Sequence, residues 1–142
     1  MNTVVSHIPV IPLRSEPTHK AELISQLLFG ETAQVIDLQK EWILVRTDFD
    51  KYSGWIEKEA VCEPEVSYFL SDKLIVKEPI VHLSSTHAKM IIAAGSELPL
   101  PDPGGTFTLG NNKWHVEITS PVKKNSLSDG LENTAFKFLN AP

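Results

Sequence analysis

Three short stretches decide the fold: Leu28-Phe29-Gly30-Glu31, Trp42-Ile43-Leu44-Val45 and Tyr52-Ser53-Gly54-Trp55-Ile56. Gly30-Glu31 reads as a turn leading into a strand, because glycine supplies the backbone freedom a tight reversal needs. Thr32 to Leu38 then alternates Ala33, Val35 and Asp37 against Thr32, Gln34 and Ile36, the pattern of a half-buried strand. Gln39-Lys40-Glu41 is a charged turn, and Trp42 to Thr47 is the next strand, with Trp42 expected to plug one end of a core. After the polar turn Asp48 to Lys51, Tyr52 to Glu57 forms a further strand. Gly54 there is expected to allow a kink before a second buried tryptophan, Trp55.

Upstream, Leu23 to Phe29 fits helix or strand by periodicity, and its short length and the following Gly30 favour strand. Ser15 to Lys20, with Pro17, is a loop. Thr3 to Leu13 is β-branched, but Pro9 and Pro12 remove ladder donors, so an edge strand or extended arm is expected. Short strands with closely spaced turns indicate a small barrel or sandwich.

Downstream, Glu63-Pro64-Glu65 reads as a linker. Leu74-Ile75-Val76 and Ile80 to Leu83 are strands, and Ser84 to Lys89 echoes Ser15 to Lys20. Met90 to Leu98 echoes Leu23 to Glu31 and the strand beyond, so that in both halves a Thr-His loop precedes an apolar run and a Gly-to-Glu turn. Asp102-Pro103-Gly104-Gly105 is a turn, and Phe107 to Leu109 and Trp114 to Ile118 flank Gly110 to Lys113 as a hairpin. Trp114 is expected in the place of Trp42, although the second half lacks a Tyr-x-Gly-Trp strand. From Ser126 to Asp129 the chain offers N-cap residues. Leu131, Ala135, Phe138 and Leu139 then form the apolar stripe of an amphipathic helix ending at Asn140-Ala141-Pro142.

Composition bounds the function. The 142 residues suffice for one ordinary domain or two of the smallest kind. A 42% hydrophobic content and a mean hydropathy of −0.09 exclude wholesale disorder. A net charge of −5 argues against a nucleic-acid or anionic-lipid surface. No stretch approaches the ~20 apolar residues of a membrane span, and the first residues lack the pattern of a secretory signal, so the expectation is a cytoplasmic protein. The single Cys62 excludes an internal disulfide, and its surroundings, Ala60-Val61-Cys62-Glu63-Pro64, suit a small buried thiol rather than a nucleophile. His7, His19, His82, His87 and His115 are scattered without metal-ligand spacing, so neither metal nor cofactor is expected.

A Gly-Glu turn, a tryptophan about a dozen residues on and a Gly-Trp-Ile strand beyond resemble the bacterial SH3 (SH3b) domain. With the Leu-x-x-x-Ala-x-x-Phe-Leu helix ending in Phe138-Leu139-Asn140-Ala141-Pro142, the chain resembles the N-terminal part of NlpC/P60 cysteine peptidases. The dipeptidyl-peptidase VI type, or γ-D-glutamyl-L-diamino acid endopeptidase, is the nearest in pattern. The fold expected is mainly β: SH3b-like barrels at 1–63 and, diverged, at 64–125, then a helix over 126–142 leading toward a catalytic domain.

That resemblance implies a non-catalytic, substrate-guiding region of an enzyme that cuts cell-wall peptides at γ-D-Glu–diamino acid bonds. The chain alone holds no catalytic residue, because the family's nucleophile cysteine and histidine base fall beyond Pro142. It further implies that the first unit recognises the free amino terminus of L-Ala. A carboxylate and an aromatic ring are the chemistry for an ammonium group, and Glu31, Tyr52 and, as a substitute carboxylate, Asp50 are the candidates. The bland alternatives are a turn-closing acceptor for Glu31 and a half-buried cross-strand aromatic for Tyr52. Glu57, Glu59, Glu63 and Glu65 read as a solvated acidic edge, and Trp42, Trp55 and Trp114 as core. The other function class is a stand-alone SH3b module binding peptidoglycan or a protein partner.

Overall fold

The structure is a computed structural model that describes residues 2–117. The expected helix over 126–142 and the boundary at 125/126 lie outside these residues. The described chain is mainly β, with strands β1 (Thr3–Ser6), β2 (Val10–Arg14), β3 (Leu23–Leu28), β4 (Thr32–Gln39), β5 (Trp42–Thr47) and β6 (Ser53–Glu57). A 3-10 turn at Lys58–Ala60 precedes β7 (Val61–Cys62) and the short helix α1 (Val66–Leu70). Then follow β8 (Lys73–Ile75), β9 (Ile80–Ser84), β10 (Lys89–Ala93), β11 (Glu97–Pro99), β12 (Thr106–Leu109) and β13 (Asn112–Glu117).

The first seven strands form one antiparallel sheet in the order β3-β2-β6-β5-β4-β1-β7. β9, β10, β12 and β13 form a second sheet, and β8 with β11 a third. None of the three closes on itself, which corrects the expectation of barrels. In the first sheet the end strands β3 and β7 do not pair, and the internal pairing is thin at β2. It meets β6 only at Arg14↔Trp55, leaving one side of Val10–Leu13 without a ladder, and this is where Pro12, with no donor, is accommodated. Thr3 to Leu13 is thus two strands rather than one: β1 lies between β4 and β7, whereas β2, between β3 and β6 in the order, keeps an edge-like open side along Val10–Leu13.

Successive side chains of a strand point to opposite faces, and β1 uses this to serve two cores. Val4 joins Ile11, Leu13, Leu27, Ile43, Val45 and Ile56 in the first. Val5 joins Val81, Leu83, Ile92, Leu98 and Trp114 in the second. Phe29, fully buried, also belongs to the second core, edge-on to Phe107 and Trp114 at 6.3 Å from each ring. The residue just before the Gly30 turn therefore anchors it in the other half of the chain.

The tryptophans separate. Trp114 is buried as expected. Trp42 and Trp55 are only half-buried, contrary to expectation. Trp42 stands at the first position of β5, outside the first core, and meets His19 edge-on at 5.0 Å, with His19 Nδ1 3.4 Å from the Glu57 carboxylate. At Gly54 the cause is close packing, since an added Cβ would lie 2.9 Å from the Leu13 Cβ. The linker reading of Glu63-Pro64-Glu65 missed α1, which follows at once and buries Tyr68.

Candidate functional site

Gly30 takes φ +82°, a left-handed conformation that side-chain-bearing residues rarely adopt. This lets β3 turn into β4 with the Glu31 N–H donating to Leu28 O at 3.0 Å. The same turn brings the Glu31 carboxylate back onto β3, where Oε1 accepts the Leu28 N–H at 2.7 Å. β1 clasps it from the side: Gly30 N–H donates to Ser6 O at 2.9 Å, and Ser6 N–H to Glu31 O at 3.1 Å.

Glu31 lines a cleft of about 470 Å³. Leu28, Phe49 and Ile75 supply apolar walls, and Asp50 and Glu97 bring two further carboxylates. Burial pushes the Glu31 pKa up to about 7; the Leu28 hydrogen bond opposes this, and the charges of Glu97 and Asp50 add to it. Glu97 is also raised, mainly by burial, with Lys73 pulling the other way. Asp50 differs. Burial raises it, but hydrogen bonds donated by Thr47 and Ser25 outweigh that and hold it below the usual carboxylate value. An anionic cleft with one carboxyl poised near neutrality favours a cation that can restore its charge, and an ammonium group does so by three donated hydrogen bonds.

Of the residues expected from sequence, Glu31 and Asp50 come together in this cleft. Tyr52 does not line it. Its ring is exposed, while its main-chain N–H donates to Thr47 Oγ1 at 3.0 Å and so helps to close the turn that presents Asp50. Phe49 is the aromatic of that turn that reaches the cleft. Glu97 and Phe49 lie outside the three candidates named from sequence. The signal for Glu97 was the Gly95-Ser96-Glu97 echo, read only as repetition. Cys62 is half-buried beside the second core, and burial raises its thiol pKa, the opposite of an activated nucleophile. Among the described residues no three His, Cys, Asp or Glu side chains are grouped to hold a metal ion, and no helix is long and apolar enough to cross a membrane.

Residues 13–61 match the family described as bacterial dipeptidyl-peptidase Sh3 domain. This segment carries Glu31 and Asp50 and covers β3 to β6. The fold is similar to the crystal structure of an NlpC/P60 family protein from Bacillus cereus, with a TM-score of 0.68 at 14% identity. That likeness covers 82% of this chain and 54% of the other, so the chain spans about half the length of that protein. No curated protein matches the chain in sequence. Residues 13–61 are thus similar to a bacterial dipeptidyl-peptidase SH3 domain, within a fold like that of an NlpC/P60 protein.

Proposed function

We propose that the chain is the non-catalytic, substrate-guiding region of a bacterial cell-wall-peptide cysteine endopeptidase acting on γ-D-Glu–diamino acid bonds. Its 1–63 and 64–125 segments act as SH3b-like units beside a downstream catalytic domain, in the cytoplasm. The cleft takes the free ammonium of an N-terminal L-Ala: Glu31 and Asp50 supply charge, and Phe49 and Leu28 receive the alanine methyl. The observation that carries this reading is the gathering of Glu31 and Asp50 in one cleft within the segment that matches a dipeptidyl-peptidase SH3 family.

The test is calorimetry of the 142-residue chain with L-Ala-γ-D-Glu-diaminopimelate and with its N-acetylated form. Heat with the free amine and none with the acetylated peptide is expected. Equal heats, or none with either, would sink the ammonium reading. Retention on intact sacculi without any response to the tripeptide would favour a stand-alone wall-binding module.

A further inference from the structure

Three contacts from the second half of the chain converge on Phe29-Gly30, the two residues just before Glu31. The Tyr68 hydroxyl, on α1, donates to the Gly30 carbonyl in a buried hydrogen bond. Glu97 N–H, at the start of β11, donates to Phe29 O at 2.8 Å. The Glu97 carbonyl lies so close to Gly30 that an added Cβ would be 1.8 Å from its oxygen. Tyr68 is itself held. Lys73 Nζ stands 4.1 Å from its ring centroid and also donates to its carbonyl.

A tyrosine serving only the core could be phenylalanine. Here the hydroxyl meets a main-chain carbonyl one residue before Glu31, where a small displacement moves the carboxyl out of the cleft wall. We propose that Tyr68, together with the Glu97 main chain, clamps the Gly30 turn so that the second half of the chain sets the position of the Glu31 carboxyl. Tyr68 is then a positioning residue of the cleft. This rests on the ammonium reading only in giving the cleft a ligand.

Tyr68→Phe tests it in the full 142-residue chain, with carbon-13 NMR following the Glu31 carboxyl titration. The groups facing Glu31 are Glu97 and Asp50, with Leu28 N–H as donor, and the substitution leaves all of them in place. The midpoint is expected to fall from the parent value toward an ordinary carboxylate as the turn loosens and water enters. Affinity for L-Ala-γ-D-Glu-diaminopimelate should weaken about fivefold, the size of one net hydrogen bond. A midpoint that stays at the parent value overturns the clamp, as does an ordinary Glu31 titration in the parent chain. A shifted midpoint in a chain that never binds the tripeptide would sustain the clamp and sink the ammonium reading. Binding by both chains with neither measure changed would do the reverse. Should Tyr68→Phe fail to fold, the parent still decides: a Tyr68 hydroxyl proton protected from exchange supports the clamp, and a freely exchanging one overturns it.

Discussion

At Gly30 and at Gly95 the chain reverses through the same set of main-chain bonds. Gly30 N–H donates to Ser6 O and Ser6 N–H to Glu31 O; Gly95 N–H donates to Val76 O and Val76 N–H to Ser96 O. In each, the residue after glycine donates three residues back, Glu31 to Leu28 and Ser96 to Ala93. Both glycines have positive φ, +82° and +96°. By this pattern the counterpart of Glu31 is Ser96, one residue earlier than the echo of Gly-to-Glu suggests. The two sites then diverge. Glu31 is satisfied by Leu28 N–H and faces a cleft, whereas the Ser96 hydroxyl is buried with no partner among the described residues. The turns also lean on each other, since Gly30 meets the Glu97 carbonyl and Gly95 meets the Leu28 side chain. One backbone device thus yields a polar site in one place and its support in the other.

The steepest way to break this pairing is Gly30→Ala. The new methyl meets main chain that cannot rotate away, at a φ that disfavours side chains, so a loss on the order of 4 kcal/mol or more is expected, read by urea unfolding. Gly95→Ala meets only the flexible end of Leu28, 2.9 Å away, and should cost about 1–2 kcal/mol, mostly from its φ. Equal costs would mean that the two turns do not differ in how tightly they are covered. Between these two lies Phe29→Ala, expected to cost about 3–5 kcal/mol by opening a cavity against Phe107 and Trp114. Because Phe29 sits in the second core, probes in both halves should report a single shifted transition.

Charge sharpens the comparison at lower cost. Glu31 is raised by burial from 4.5 to about 7, so between those values the folded chain holds a proton that the unfolded chain releases. Its contribution to stability is full below pH 4.5 and is lost as the pH rises through about 7. Glu31→Gln should therefore raise the urea midpoint at pH 8 and leave it nearly unchanged below pH 4.5, while abolishing tripeptide binding. In the parent, affinity should climb as Glu31 ionises and decline once the ligand ammonium deprotonates near pH ~8. A flat profile in calorimetry across pH 6–9 would detach Glu31 from recognition. Smallest of all, Ser96→Ala removes an unpaired buried hydroxyl and should be neutral or stabilising by up to about 1 kcal/mol.

Much of the strand order in sequence was legible because each strand is short, alternating and bounded by Gly, Pro or charged turns; the hairpin around Gly110 is an instance, with Leu109 paired to Asn112. Glu31 and Asp50 could be named only through the family resemblance, which implies an ammonium ligand and hence a carboxylate to meet it. Other features are long-range. Whether a tryptophan is core depends on which strand faces it, so Trp42 and Trp114 look alike in sequence and differ in burial. The sequence by itself determined the β class and the turns, since these follow from local periodicity and backbone preference. Only the tertiary structure decided that the sheets stay open, that Val4 and Val5 serve different cores, and that Tyr68 and Glu97 close on a turn dozens of residues away. Such contacts are fixed by packing between distant segments, which no local pattern encodes.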